Sequence, residues 1–279
     1  MKIGVLSWNL YHGRDFPPDP ALFTRRSRLR RAPERNDTHM QLNRDLLGEF
    51  AGVLSRARWD VALLQECPPR WARGLAAACD AQMHVVLTSR NWVRPIQSAV
   101  ARRNPDLIAS WEGGSNAILL RGELRGTLAA RRRLMLRRRP ERRTMGFVRT
   151  DTGLCVANLH ASTRRLLAIE EVRDAAEMAV RWADDLPLVF GGDFNLRPDQ
   201  NPLFDELAER FGLRGATAPD AIDHVLARGL EPLQPPARWA PEAREVAIDG
   251  LALRLSDHAP VEARFASQSH SRELTASPG

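Results

Sequence analysis

Apolar residues cluster at the very start of the chain. Ile3, Val5, Leu6 and Trp8 make Lys2 to Leu10 a nearly continuous hydrophobic run. Such a run predicts a strand buried on both faces, here reaching a polar end at Asn9. The same design recurs. Trp59 to Glu66 is apolar until Glu66, and Leu154 to His160 is apolar until His160. Leu186 to Phe190 leads into Gly191-Gly192-Asp193-Phe194-Asn195. Ala221 to Leu226 predicts a strand with Asp223 in its interior, and an unpaired carboxylate there is costly. Val261 to Phe265 predicts the last strand, preceded by Asp257-His258. His84 to Thr88 and Ala117 to Leu120 read as further strands, the second after a tight turn at Gly113 to Asn116. Thr127 to Leu136 and Thr144 to Thr150 predict a hairpin across Arg137 to Arg143.

Three segments switch to helical spacing. From Thr38, the residues Leu42, Leu46, Leu47, Phe50, Val53 and Leu54 share one face, with N-cap candidates at Asn36, Asp37 and Thr38. Arg164 to Asp184 predicts a long amphipathic helix, and Asn201 to Arg210 a short one closed by Phe211-Gly212. Arg25 to Arg35 is arginine-dense and predicts a mobile basic loop. Ala266 to Gly279 is polar and predicts a disordered tail after a domain spanning residues 1–265.

Composition narrows the picture. The 279 residues are 43% hydrophobic, enough for a sizeable core. No apolar run is long enough to span a bilayer. Asn9 interrupts what would have to be a signal-peptide core, so a cytoplasmic protein is expected. Cys67, Cys79 and Cys155 are odd in number and lack metal spacing, which points to reduced thiols. The formal charge is +7, carried almost wholly by arginine, Lys2 being the lone lysine. A basic balance favours polyanionic partners such as nucleic acid. A GC-rich coding sequence would also enrich arginine over lysine, so charge alone does not select DNA. The run Arg131 to Arg143 reads either as a solvated strand edge or as a phosphate-facing groove.

Candidate chemistry comes from the strand ends. Asn9, Glu66, His160, Asp193 with Asn195, and Asp257 with His258 all follow apolar runs, and Asp223 lies within one. This recurrence predicts one shared polar rim at one end of a sheet core. Carboxylate and amide oxygens suit a hard cation, magnesium or manganese. The absence of a Cys/His cluster argues against zinc.

The segments SWNLYHG, LLQE, NAILLR, ANLHAS, GGDFN, IDHVL and SDHAPV, in this order, resemble the endonuclease/exonuclease/phosphatase superfamily. The resemblance spans residues 3 to about 265. It implies a four-layer α/β sandwich, two packed β-sheets flanked by helices, and Mg²⁺- or Mn²⁺-dependent hydrolysis of phosphoesters. It also implies roles. Glu66, Asn9 and Asp257 would hold the metal, with Glu66 the principal ligand. Asp193 would orient and deprotonate the attacking water, and Asn195 would help hold nucleophile and phosphate. His258, oriented by Asp223, would bind phosphoryl oxygens, and His160 would contact the phosphate from the opposite side. Asn116 and Arg143 would bind phosphate, with Arg142 an alternative to Arg143. Tyr11 is the only tyrosine and lies outside ANLHAS, which departs from the apurinic/apyrimidinic endonuclease branch. The expected activity is a nuclease that cleaves phosphodiester bonds in DNA or RNA. The alternatives are a phosphatase or phospholipid/sphingomyelin phosphodiesterase, and, outside enzymes, an inactive nucleic-acid-binding or scaffold protein.

Overall fold

In the computed structural model, which describes residues 1–89 and 93–267, the predicted strands assemble into two large sheets. The first runs β12 (Leu230–Arg238), β15 (Val261–Ser267), β1 (Lys2–Asn9), β4 (Val61–Cys67), β6 (Ser115–Leu120) and β5 (Gln82–Leu87). The second runs β11 (Asp223–Arg228), β10 (Leu188–Asp193), β9 (Cys155–His160), β8 (Arg143–Thr150) and β7 (Leu128–Arg137). Both are mixed: β1 and β4 are parallel, β9 and β10 are parallel, and the other ladders are antiparallel. Short ribbons of β2 (Glu34–Arg35) with β3 (Met40–Gln41), and β13 (Glu245–Ile248) with β14 (Leu251–Arg254), lie outside them.

Three hydrophobic clusters fill three interlayer spaces. Ile3, Val5, Leu63, Ile118, Val156, Val189 and Val225 pack between the sheets. Leu6, Trp8 and Leu64, on the other face of the first sheet, pack against Phe50 and Leu54 of α2 (Leu47–Arg56) and Leu75 of α3 (Ala72–Ala78). Phe147, Leu159 and Phe190 pack against Val172 and Ala176 of α6 (Arg165–Ala183) and Leu207 of α7 (Leu203–Phe211). Each central strand therefore buries both faces, as its unbroken apolar sequence requires. The result is the four-layer α/β/β/α sandwich that the family resemblance implied.

Buried amides tie the two sheets together. Gln65 Nε2 donates to Asn158 Oδ1 at 2.8 Å, and Asn158 Nδ2 donates to the carbonyls of Leu64 and Ala117. Asn116 Nδ2 donates to the Thr144 carbonyl at 2.9 Å. Apolar packing alone would let the sheets slide; these directional bonds fix their relative position.

Four expectations need correction. The helix anticipated from Thr38 begins at Leu47. Asn36 Oδ1 instead accepts the Thr38 and His39 amides, and Asp15 Oδ2 takes the Leu42 amide, which keeps that stretch extended. Within Arg25 to Arg35 lie the helix α1 (Arg25–Arg30), capped by Thr24 Oγ1 on the Ser27 amide, and β2. Asp223 opens β11 rather than sitting within it. Ala266 and Ser267 belong to β15, and the rest of the expected disordered tail, from residue 268, lies outside the described residues. Helices α4 (Arg94–Arg103) and α5 (Pro105–Glu112) and strand β12 were not anticipated. Among the described residues, no helix is long and apolar enough to cross a membrane.

Candidate active site

Strand register assembles the site. In the second sheet Asp193 lies beside His160 on one neighbour and Asp223 on the other. In the first sheet Asn9 stands opposite Gln65, one residue before Glu66. The two rows meet where Asn9 Nδ2 donates to Asp193 Oδ2 at 2.9 Å. The Asn9 oxygen accepts the Tyr11 amide, which leaves it one lone pair.

The paired glycines before Asp193 are sterically demanded. A Cβ on Gly192, whose φ is +135°, would lie 1.9 Å from the Leu159 carbonyl oxygen. One on Gly191 would lie 2.7 Å from that of His224. Backbone strain marks the same rim. Tyr11, His12, Glu66, Asn195 and Ser256 all have positive φ although none is glycine. Each such conformation costs about 1–3 kcal/mol and persists where the surrounding fold enforces it.

Asp193 is fully enclosed and held at both oxygens, Oδ1 by the Asn195 amide at 3.0 Å and Oδ2 by Asn9. Burial and the neighbouring Asp223 push its carboxyl up to about 7. The Asn195 side chain donates to the Ala161 carbonyl. His258 Nδ1 lies 2.8 Å from Asp223 Oδ2, which leaves Nε2 facing Asp193 Oδ2 and Asp257 Oδ1, each at 3.9 Å. Burial alone would lower the His258 imidazole. The Asp223 bond and the charges of Asp223, Asp193 and Asp257 outweigh it and raise it to about 10. At neutral pH His258 is therefore an imidazolium with Nε2–H free to donate.

His160 behaves oppositely. Burial and the Arg143 guanidinium lower its imidazole to about 3, so it is neutral. Arg143 Nη1 lies 3.4 Å from His160 Nδ1 and donates to it, which puts the proton on Nε2. That nitrogen lies 3.5 Å from Asp193 Oδ2 and 3.9 Å from Glu66 Oε1. Arg143 is buried and borders the same cavity; Arg142 instead donates Nε to the Thr88 carbonyl and borders a separate groove. The two neighbouring arginines are thus separated by position. Asn116 does not border the cavity; it is enclosed and committed to Thr144, so its placement gives no support to a phosphate contact.

Glu66 sits at a bulge of β4 with φ +45°. Burial would raise its carboxyl, but His12 foremost, with His258 and Arg14, holds it near 2. The Glu66 charge in turn adds to the burial that raises Asp257. Glu66 on β4 and Asp257 in the loop before β15 act on each other through their charges and form an oxygen-rich locus that a hard divalent cation would relieve. A second acidic group, Asp193, Asp223 and His258, also gathers possible ligand atoms within 4.8 Å. Within it Asp223 and His258 form a hydrogen-bonded pair, and Asp193 faces the imidazole across 3.9 Å.

Several residues escaped sequence reasoning. His12 Nε2 lies 3.2 Å from Glu66 Oε2 and borders the cavity with Tyr11, Arg14 and Arg164. Buried Arg244 donates Nη1 to the Ser256 and His258 carbonyls, both at 2.7 Å, and so clamps the loop that carries Asp257 and His258. Ser256 Oγ donates to the Asn9 carbonyl at 2.6 Å and accepts the His258 amide. Trp8 Nε1 donates to the His258 carbonyl. The motif SWNLYHG contains Trp8, Tyr11 and His12, and SDHAPV contains Ser256; Arg14, Arg164 and Arg244 lie in no motif.

The cavity holds about 450 Å³. His12, Glu66, Arg143 and His160 border it; Asp193 stands next to them, its Oδ2 3.5 Å from His160 Nε2 and 3.9 Å from His258 Nε2.

Comparison with known proteins places this arrangement. The model of the endonuclease/exonuclease/phosphatase family matches residues 6–258. No curated protein matches the sequence significantly. Among solved structures, a family protein from Bacteroides thetaiotaomicron is similar at TM-score 0.62 and 15% identity, over 96% of this chain and 98% of the other. A mannosyl-6-phosphatase from the same species is similar at TM-score 0.62 and 14% identity, over 95% and 99%. Truncated TDP2 of Caenorhabditis elegans is similar at TM-score 0.56 and 17% identity, over 95% and 98%. At such identities the structures speak for the fold, and the family match carries the assignment. The chain belongs to the endonuclease/exonuclease/phosphatase family, whose members are hydrolases of phosphoester bonds and generally use divalent metals.

Proposed function

We propose that this protein is a Mg²⁺-dependent phosphodiesterase that cleaves nucleic acid by direct attack of water. The observation that carries the reading is the pairing of a base and an acid across one gap. Asp193, raised towards neutrality, faces the Asp223-oriented imidazolium of His258. A base whose acidity lies near the working pH is the efficient choice for deprotonating water. Asn9 and the Asn195 amide hold that carboxylate in one orientation. His258 Nε2–H and the His160 donor would meet the charge that develops on non-bridging oxygens, and enclosure strengthens those bonds.

Glu66 and Asp257, with the remaining lone pair of Asn9, are the groups that would hold the cation. When bound, it would neutralise charge on the phosphoryl group. Among the described residues bordering the cavity there is no Cys or Lys, and the Ser162 hydroxyl is held in a buried hydrogen bond to Glu171, itself paired with Arg137. Direct hydrolysis is therefore favoured over a covalent intermediate.

A diester is favoured because the cavity is not closed around one phosphate. It shares Tyr11 and Arg14 with an adjoining cleft of about 350 Å³, so a substrate can extend past the reacting group. The structural neighbour named as a mannosyl-6-phosphatase keeps a monoester in the test. Three buried thiols accord with a cytoplasmic setting. The experiment is a panel of plasmid DNA, oligonucleotides, sphingomyelin, inositol phosphates, a sugar phosphate and bis-(p-nitrophenyl) phosphate, with Mg²⁺ or EDTA. Turnover of the diesters that EDTA abolishes is expected. Turnover confined to monoesters would reject the diesterase reading, and full activity in EDTA would reject metal dependence.

A further inference from the structure

A second concavity, about 970 Å³, opens between the free edges of β5 and β7. Its rim carries Arg73, Arg131, Arg133 and Arg142, and among the described residues no acidic one borders it. Arg131, Arg132 and Arg133 are exposed and, among the described residues, form no ion pair with a carboxylate. Other arginines of the same hairpin are neutralised, Arg137 by Glu170 and Glu171, and Arg143 by Glu141. Clustering uncompensated like charges on one strand costs free energy unless an anion occupies the space between them.

The groove is held in shape and connected to the catalytic cavity. His84 Nε2 donates to the Arg132 carbonyl at 3.1 Å and staples the two strand edges together. Arg142 Nε donates to the carbonyl of Thr88, and Thr88 borders the catalytic cavity. The next residue, Arg143, lies in that cavity against His160. The floor is apolar, with Met83, Val85 and Leu87. On the opposite flank, the cleft sharing Tyr11 and Arg14 contains Phe16 and Phe23, which stand 5.6 Å apart and are 38% and 37% exposed.

We propose that the groove between β5 and β7 binds a single-stranded nucleic acid, as a continuation of the strand cleaved in the catalytic cavity. The arginine rim tracks phosphates, and the apolar floor and the Phe16–Phe23 flank receive bases. A basic groove combined with sequence-tolerant base contacts is how single strands are held. In a duplex the base faces are already stacked and cannot use such surfaces. The inference deepens the phosphodiesterase reading and rests on it.

The test separates the two. Anisotropy of a fluorescent oligothymidylate is measured across a salt series with Asp193→Asn protein, and again with R131S, R132S and R133S added. The three serine substitutions are also placed in the otherwise native protein and assayed with bis-(p-nitrophenyl) phosphate in Mg²⁺. Arg132 stands over the Trp182 ring on the other face of β7, so two lost phosphate contacts, those of Arg131 and Arg133, should reduce the log–log salt slope by about 1.4 and weaken binding about 25-fold at about 0.1 M salt. Turnover of the small diester should stay within about twofold, since it makes none of the groove contacts. Unchanged oligonucleotide affinity would overturn the groove assignment. So would tighter binding of duplex DNA than of the single strand, or an effect confined to phosphatidylserine vesicles. A native protein inert towards the small diester, with groove-dependent binding intact, would instead reject the catalytic reading alone.

Discussion

Replacing Asp223 by Asn should move the whole pH–rate profile to lower pH while lowering its height. The native protein needs Asp193 ionised and His258 protonated. Its profile should rise through about 7 and fall through about 10, values that belong to the coupled set. Asp223 pushes both groups in the same direction: its charge raises Asp193, and its hydrogen bond and charge raise His258. Without that charge the Asp193 limb falls, because its like-charged neighbour is gone. The His258 limb falls too, because burial is then opposed only by Asp193 and Asp257. A 2.8 Å bond to an ionised partner contributes about 1.5–3 kcal/mol, so the maximal rate should drop about 10- to 150-fold. The assay is hydrolysis of bis-(p-nitrophenyl) phosphate in Mg²⁺ from pH 5 to 11. Adding His258→Ala should cost little more than His258→Ala alone, as for groups acting as a unit. An optimum that stays in place or moves upward, or losses that add, would refute the pairing.

Three further outcomes follow from geometry. Gly192→Ala should destabilise the fold by about 3 kcal/mol or more, because the added Cβ meets the Leu159 carbonyl; a melting temperature equal to native would contradict this. Arg244→Met should lower both melting temperature and turnover, by about 2–3 kcal/mol and about tenfold, since the carbonyls of Ser256 and His258 lose a charged donor. Unchanged turnover in a destabilised variant would remove Arg244 from the positioning of His258. Asp15 is enclosed, and burial pushes its carboxyl up to about 8, above its ordinary range. The stability it allows is complete below the ordinary carboxylate value of 3.8 and is lost progressively as pH rises to about 8. Asp15→Asn, which stays neutral, should therefore raise the melting temperature much more at about pH 9 than at about pH 5. Equal effects at both values would show that Asp15 does not ionise in that window.

The strands were legible because those buried on both faces read as unbroken apolar runs, and nearly all of those runs became strands; their stacking into four layers was implied only by the resemblance to the family. The rim was legible as a list of strand ends, from Asn9 to His258. What joined them was not. Asn9 meets Asp193 because the sheets are stacked in one register, which no local pattern records. His12 reaches Glu66 through positive φ at Tyr11, His12 and Glu66, none of which is a glycine that would announce a turn. Arg244 lies in a short 3-10 helix and acts on backbone carbonyls, so it has no motif. β12 was hidden by Pro232, Pro235 and Pro236, which a strand tolerates at the edge of a sheet. Leu42 and Leu46 kept a helical spacing yet fell outside α2, because side-chain oxygens of Asn36 and Asp15 took the amides that a helix needed.

The central claim is that Asp193 is the base of a metal-dependent phosphodiesterase. The direct measurement is turnover of bis-(p-nitrophenyl) phosphate in Mg²⁺ by native protein and by Asp193→Asn, with thermal melting of both. Asn keeps the shape but offers one acceptor where Asp193 offers two, so it can keep either the Asn195 amide or the Asn9 amide but not both, and stability should fall by about 1–3 kcal/mol while the fold persists. Turnover should fall about 10²- to 10⁴-fold, the contribution of a positioned general base. An Asp193→Asn protein that hydrolyses the diester at a rate close to native would contradict the account.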